Sequence, residues 1–134
     1  MKYIVDTHTL IWFVQQDKRL GTSARQALSE PDGELLLPAV CYGEACWIIE
    51  HSRTNIPSAA ALKASLDVDS RFVICPLDRA VVERSQGLDL IVINEMHDRQ
   101  IMATALVLMD AGETVVLLTR DANMTASSLV PILW

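Results

Sequence analysis

The sequence predicts an α/β domain of three layers, in which helices cover both faces of a central, mainly parallel sheet of four to five strands. Short apolar runs of strand length alternate along the chain with longer segments of helical periodicity, and this alternation is typical of strand–helix–strand units. The chain has 134 residues, which fits a single domain over residues 1–134. A domain of this size buries roughly two-thirds of the surface of its unfolded chain, so its core needs no disulfide or structural metal.

The N-terminal segment contains one predicted strand and two predicted helices. Residues 2–6 are mainly apolar and aromatic and predict the first strand. A helix follows over residues 8–16. A second helix ends at Leu28, and Thr22 or Ser23 can cap its start.

The middle of the chain repeats this alternation. Residues 34–37 predict a short strand, followed by a helix over about residues 39–51 and another over residues 58–66. Residues 71–75 predict a third strand, which Pro76 ends because proline cannot donate to a strand ladder.

The C-terminal part begins with a helix over residues 79–85 that Asp78 caps. Residues 89–95 are ambiguous and are treated as a loop that could carry a short strand. A strong helical pattern follows over residues 97–111, and Gly112 stands where a glycine commonly ends a helix. The last two strands are predicted at residues 114–119 and 130–133.

The composition predicts a soluble, cytoplasmic protein with apolar surface to spare. Apolar residues make up 51% of the chain and the mean hydropathy is +0.26, which suggests a surface kept for a partner, most simply a second copy in a homodimer. No apolar run is long enough to span a membrane, and the N-terminus enters a strand without a signal-peptide pattern. Cys41, Cys46 and Cys75 are odd in number and form no CxxC pair, so we expect reduced, packed thiols.

The net charge of −6 argues against a simple basic nucleic-acid binder. Two divalent cations in an acidic site would bring the charge close to −2, so the charge balance does not exclude a nuclease.

Two aspartates follow predicted strands at the edge where parallel α/β proteins place their chemistry. Asp6 ends the first strand and Asp121 lies just beyond the strand over residues 114–119. A helix follows each of them, so helix capping is the simpler explanation of either residue taken alone.

Two further carboxylates occupy apolar faces of predicted helices. Glu44 shares a stripe with Val40, Trp47 and Ile48, where an acid must neutralise, find a cation or bind metal. The alternatives for Glu44 are a salt bridge with Arg53 or Arg99, or a stripe edge that reaches water.

Asp98 heads the apolar face formed by Ile101, Met102 and Ala105, and it also lies in the first helical turn, where the helix dipole favours an anion. If the four acids meet, their mutual repulsion calls for protons or cations. Mg²⁺ or Mn²⁺ prefers such hard oxygen ligands, attracts phosphate and can activate water.

Four segments of the chain resemble the PIN-domain ribonucleases, and more closely the VapC-type toxins of bacterial toxin–antitoxin pairs. The segments occur in the family's order and spacing, and they are residues 5–12 (VDTHTLIW), 42–47 (YGEACW), 98–105 (DRQIMATA) and 118–121 (LTRD). The chain departs from relatives of this subgroup at residues 94–97, where a His-x-Asp-Pro-Phe stretch is common.

The resemblance implies a PIN-like fold and RNA phosphodiester hydrolysis assisted by one or two Mg²⁺ or Mn²⁺ ions, in the toxin of a type II toxin–antitoxin system with a cognate antitoxin. It implies that four residues are the catalytic and metal-binding acids: Asp6, Glu44, Asp98 and Asp121. Thr7 and Thr119 would supply hydroxyls that orient carboxylates or water. Arg99 and Arg120 are weaker candidates for phosphate contacts, since they could equally be surface arginines or partners of the acids.

Histidines and rival functions complete the predictions. His8 and His97 each neighbour a site acid; we expect a structural hydrogen bond for His8 and an exposed helix start for His97. A haloacid-dehalogenase-like site would need an acid where His8 stands, and no lysine is placed as a receiver domain requires. The alternative from another class is a PIN-fold binding or regulatory module whose nuclease activity is lost or suppressed.

Overall fold

The computed structural model describes residues 1–134 and has at its centre a sheet of five parallel strands. The strands are β1 (Lys2–Val5), β2 (Glu34–Pro38), β3 (Phe72–Cys75), β4 (Val115–Leu118) and β5 (Ile132–Leu133). Their order across the sheet is β3-β2-β1-β4-β5. The predicted three-layer α/β/α architecture is confirmed.

Seven helices connect and cover the strands. They are α1 (Thr7–Gln15), α2 (Thr22–Leu28), α3 (Ala39–Glu50), α4 (Ala59–Val68), α5 (Arg79–Ser85), α6 (Met96–Asp110) and α7 (Ala122–Ser127). The observed bounds differ from the predicted ones by one or two residues at individual ends, the usual uncertainty of helix and strand boundaries.

Local capping explains where several elements begin and end. Asp78 and Ser58 accept hydrogen bonds from backbone N–H groups of α5 and α4, so the cap predicted at Asp78 is confirmed. Gly112 has a φ of 87° and follows α6, the left-handed conformation expected of a glycine that ends a helix. The cap predicted at Thr22 or Ser23 is wrong: Gly21 precedes α2 and offers no side chain. Residues 89–95 contain no strand.

The strand order places a topological switch point between β1 and β4. From β1 the chain builds outward through β2 to β3, and it then crosses back to add β4 and β5 on the other side of β1. Tyr3 is in register with Leu35 of β2 and with Val116 of β4. All strands are parallel, so the carboxyl ends of β1 and β4 lie together, where open α/β sheets form a binding crevice.

The core lies on both faces of this sheet. Tyr3, Ile4 and Val5 point alternately to the two faces and are all at most 5% exposed. The apolar face predicted for α6 is buried, since Ile101, Met102 and Ala105 are at most 1% exposed. Cys41, Cys46 and Cys75 are free thiols. None of the seven helices combines the length and the apolar character needed to cross a lipid bilayer.

Candidate active site

Asp6 stands at the carboxyl end of β1 and caps α1. Its Oδ1 accepts a hydrogen bond from the backbone N–H of Thr7 (2.7 Å), and its Oδ2 accepts one from the hydroxyl of Thr119 (2.6 Å). Burial raises the pKa of the Asp6 carboxyl, although these two hydrogen bonds oppose the shift. Asp6 is therefore both a helix cap and an acid held at the switch point.

Asp121 occupies the equivalent position after β4 and caps α7. Its Oδ1 accepts from the backbone N–H of Met124 (2.8 Å), and its own backbone N–H donates to the hydroxyl oxygen of Thr119 (3.1 Å). Thr119 thus contacts both strand-end aspartates and fixes one relative to the other. The Oδ2 atom of Asp121 has no hydrogen-bond partner within the protein.

Glu44 reaches the same place from α3. Its Oε2 accepts from the hydroxyl of Thr7 (3.1 Å), and its Oε1 lies 3.4 Å from Nδ1 of His97. Neither predicted salt-bridge partner, Arg53 or Arg99, contacts it.

Helical spacing placed Glu44 on an inward-facing stripe of α3, and this prediction is wrong. The buried face of α3 consists of Cys41, Ala45 and Ile49, whereas Trp47 on the stripe of Glu44 is 48% exposed. This stripe lines an open groove, so the Glu44 carboxylate lies at a stripe edge that reaches water.

Asp98 lies in the first turn of α6, with its carboxylate free of protein hydrogen-bond donors. Its backbone N–H is taken by the side chain of Glu95, which caps the helix (2.8 Å). Burial raises the pKa of Asp98, and the negative charges of Asp121, Glu95, Asp6 and Glu44 raise it further, to about 7. The electrostatic field of the other acids therefore acts directly on Asp98.

One cavity of about 600 Å³ collects these groups. All four predicted acids line it, together with Thr7, Thr119, His8, Arg19, Glu95 and Arg120 among others. The structure thus brings together acids from two strand ends and two helices, although they are far apart in the sequence.

The donor set fits a hard divalent cation. Asp98 has both carboxylate oxygens free, and a cation would relieve the repulsion that raises its pKa. As the side chains stand, no three of the His, Cys, Asp and Glu residues are close enough to enclose one ion. Mg²⁺ needs no such cage, because it commonly keeps several waters and binds through one or two carboxylates.

Three of the four remaining predicted site residues line the cavity and one does not. Thr7, Thr119 and Arg120 line the cavity, whereas Arg99 is not among its lining residues. The Arg99 guanidinium donates to the backbone carbonyls of Ile93, Ser85 and Leu88, so it supports the loop before α6 instead of facing the acids.

Histidines and one acid were not anticipated in their observed roles. The structural hydrogen bond expected of His8 is absent; its ring instead packs at 5.5 Å from that of Trp12. His97 lies half-exposed in the first turn of α6, between Glu44 and Glu95. Glu95 is a fifth acid of the cavity and the N-cap of α6. Residue preference did not predict this role, because N-caps favour Ser, Thr, Asp and Asn over Glu.

A doubly wound parallel sheet with carboxylates gathered at its switch point defines an α/β protein that binds its ligands at that crevice. The chain belongs to the PIN domain family, whose model matches residues 3–126. No curated protein sequence shows significant similarity to it.

Solved structures share the fold at low sequence identity. VapBC2 from Rickettsia felis, bound to a promoter DNA fragment, matches with a TM-score of 0.69 and 13% identity over 99% of this chain and 98% of that one. A toxin–antitoxin complex from Klebsiella pneumoniae matches with a TM-score of 0.69 and 19% identity over 98% of this chain and 96% of that one. VapC20 from Mycobacterium tuberculosis, a toxin that cleaves the sarcin–ricin loop, matches with a TM-score of 0.65 and 17% identity over 96% of each chain.

Proposed function

We propose that this chain is a single PIN domain that hydrolyses RNA phosphodiester bonds with the help of Mg²⁺ or Mn²⁺ and acts in the cytoplasm as the toxin of a type II toxin–antitoxin system. The observation that carries the proposal is the convergence of Asp6, Glu44, Asp98 and Asp121 on one cavity. Such a set repels RNA unless cations neutralise it, and neutralised it becomes a site for a phosphate.

The carboxylates of these four residues would hold one or two ions. When bound, a divalent cation lowers the pKa of a water and offsets negative charge on the reacting phosphate. Thr119 orients Asp6 through its hydroxyl and supports the backbone of Asp121. Thr7 orients Glu44 through its own hydroxyl. Hydroxyl groups that orient metal-binding carboxylates in this way commonly matter for metal affinity.

A cognate antitoxin is the proposed protein partner. The support is that VapBC2 and the Klebsiella pneumoniae structure are toxin–antitoxin assemblies with the same fold. The test is to co-express this chain with the protein encoded next to it: we expect co-purification and relief of growth inhibition.

A homodimer is the second proposed assembly. Large apolar side chains are exposed along the stretch from β3 to the loop before α6, namely Val73, Ile74, Leu77, Val82, Leu90, Ile91 and Val92. β3 is an edge strand of the sheet. Exposed apolar side chains concentrated in one segment of the chain favour a second copy as their cover.

The nuclease proposal is tested by cleavage of a labelled RNA in Mg²⁺ or Mn²⁺. Asp98→Asn keeps the shape of the side chain and removes its charge, so we expect cleavage to fall by at least about 100-fold, since the change costs ligand affinity and charge stabilisation together. Asp110→Asn is the matched control because Asp110 lies on the same helix, exposed and paired with Arg84.

The control should cut at the wild-type rate, and chelation by EDTA should stop both proteins. A wild-type protein that binds RNA but never cuts it would overturn the enzymatic proposal in favour of a PIN-fold binding module. Equal loss in both variants would place the effect outside the cavity.

A further inference from the structure

Six of the eight arginines in the chain are engaged within the protein. They pair with carboxylates or donate to backbone carbonyls, and they are Arg19, Arg25, Arg71, Arg79, Arg84 and Arg99. Arg53 and Arg120 are the exceptions: both are exposed, and neither side chain makes a hydrogen bond or an ion pair. Their guanidinium donors are free in a chain with 17 acidic residues.

Each of these two free guanidinium groups lies over a tryptophan ring. Cζ of Arg120 is 4.6 Å from the ring centroid of Trp12, and Cζ of Arg53 is 5.2 Å from that of Trp47. The Trp47 ring also stacks on His51 at 3.9 Å, which helps to fix it. A cation–π contact orients a guanidinium without using its N–H groups. Both arginines are therefore positioned and still able to bind an anion.

The two arginines open onto connected cavities. Arg120 lines the acidic cavity, and Arg53 lines a neighbouring groove of about 820 Å³ between α1 and α3. His8, Trp12, Arg19 and Glu44 line both, so the groove continues directly from the acids.

We propose that Arg120 binds a backbone phosphate of the RNA at the acidic cavity and that Arg53 binds another further along the same strand, which lies in the α1–α3 groove. This assignment rests on the proposed ribonuclease function. It gives a substrate-positioning role to Arg53, which follows α3 and for which the sequence had suggested only a salt bridge with Glu44.

The charge of the groove favours a polyanion as its occupant. Its lining includes two arginines, Arg19 and Arg53, with Glu44 as its one acid, although the whole chain carries −6. A free guanidinium matches a phosphate through two parallel N–H donors. The groove also has apolar lining, which makes a protein segment the rival occupant.

The test measures RNA binding, separately from cutting. A fluorescent single-stranded RNA of about ten nucleotides, long enough for a groove of this kind, is titrated in Mg²⁺ with Asp98→Asn protein carrying in addition Arg53→Gln, Arg120→Gln or the control Arg79→Gln. Arg79 is exposed on α5 and pairs only with Glu83. Each of the first two substitutions should weaken binding several-fold and reduce the slope of log K against log salt by about 0.7, the value for one phosphate contact to a single strand.

A second readout depends on RNA length. A dinucleotide placed at the acids does not extend along the groove, so its binding should be weakened by Arg120→Gln and not by Arg53→Gln. If wild-type protein cuts RNA while Arg53→Gln leaves affinity and salt slope unchanged, this inference is overturned, the ribonuclease proposal stands, and the groove is left to a protein partner. If wild-type protein neither binds nor cuts RNA, both proposals are overturned.

Discussion

Single hydroxyl groups organise the acids of the cavity. Thr119 is 1% exposed and contacts both Asp6 and the backbone of Asp121, while Thr7 contacts Glu44. Because Thr119 directly follows β4 and Thr7 begins α1, the geometry of the acids depends on how those elements meet. Asp98 differs from the other three predicted acids, since its carboxylate accepts no hydrogen bond from the protein.

Removing the Thr119 hydroxyl tests this organisation. Thr119→Val leaves Oδ2 of Asp6 without its donor, so we expect a stability loss of about 1–3 kcal/mol and a 10- to 100-fold loss of Mn²⁺ affinity, the usual order for a group that orients a metal ligand. Thr9→Val is the matched control because Thr9 is equally buried and donates only to the Leu118 carbonyl. Calorimetric titration should show Mn²⁺ affinity unchanged in Thr9→Val; an equal loss in both variants would contradict the role of Thr119.

The raised pKa of Asp98 predicts how pH affects the metal-free protein. The folded protein holds the Asp98 proton up to about pH 7, whereas in the unfolded chain the ordinary value is 3.8. As pH rises from about 4 to about 7, the unfolded state releases this proton first, so the contribution of Asp98 to stability falls through that window. Asp98→Asn should therefore raise the melting temperature at pH 8 in EDTA and leave it nearly unchanged at pH 4. A pH-independent difference would argue against the mutual repulsion of the acids.

At the scale of helices and strands, sequence patterning located the elements well. Asp6, Asp98 and Asp121 could be placed because strand ends and a helix start are local features, fixed by apolar runs and caps. The face of α3 that carries Glu44 could not, since it depends on how α1 and α3 pack. The cap at Glu95 and the carbonyl contacts of Arg99 were missed because both lie around an irregular loop without periodicity.

Alanine substitution of two glycines, one just before α2 and one within α3, should have opposite effects on stability. A Cβ at Gly21, before α2, would come within 2.5 Å of the backbone of Trp134, whereas one at Gly43, in α3, would meet nothing within 4 Å. Gly21→Ala should cost about 1–3 kcal/mol because the C-terminal segment must move. Gly43→Ala should stabilise by up to about 1 kcal/mol through helix propensity. Urea unfolding measures both, and a stabilising Gly21→Ala would contradict the close packing of α2 against the C-terminus.

At the scale of the whole molecule, the apolar residues that the core does not bury can be located on the surface. Many of the exposed large apolar side chains lie between β3 and α6, and none of these lines the cavity that holds the acids. One region of the surface would then serve assembly and another chemistry. The net charge of −6 fits the same division, because the acids of the cavity need cations before RNA can approach.

A charge in the apolar region should separate the proposed dimer. Ile91 is 93% exposed in the loop before α6, and Ile91→Glu would bury a carboxylate against a second copy. We expect light scattering to show a monomer for this variant and a dimer for the wild type. Val68→Glu is the control, since Val68 is 85% exposed at the end of α4 and outside the region. A wild-type monomer, or a dimer that survives Ile91→Glu, would contradict the proposed interface.

Anomalous diffraction from a crystal grown with Mn²⁺ tests most directly whether the acids share a cation. One or two peaks are expected inside the cavity of about 600 Å³, each bound by carboxylate oxygens from at least two of Asp6, Glu44, Asp98 and Asp121. A cavity without a peak at saturating Mn²⁺, or ions bound only to acids elsewhere on the surface, would contradict the account.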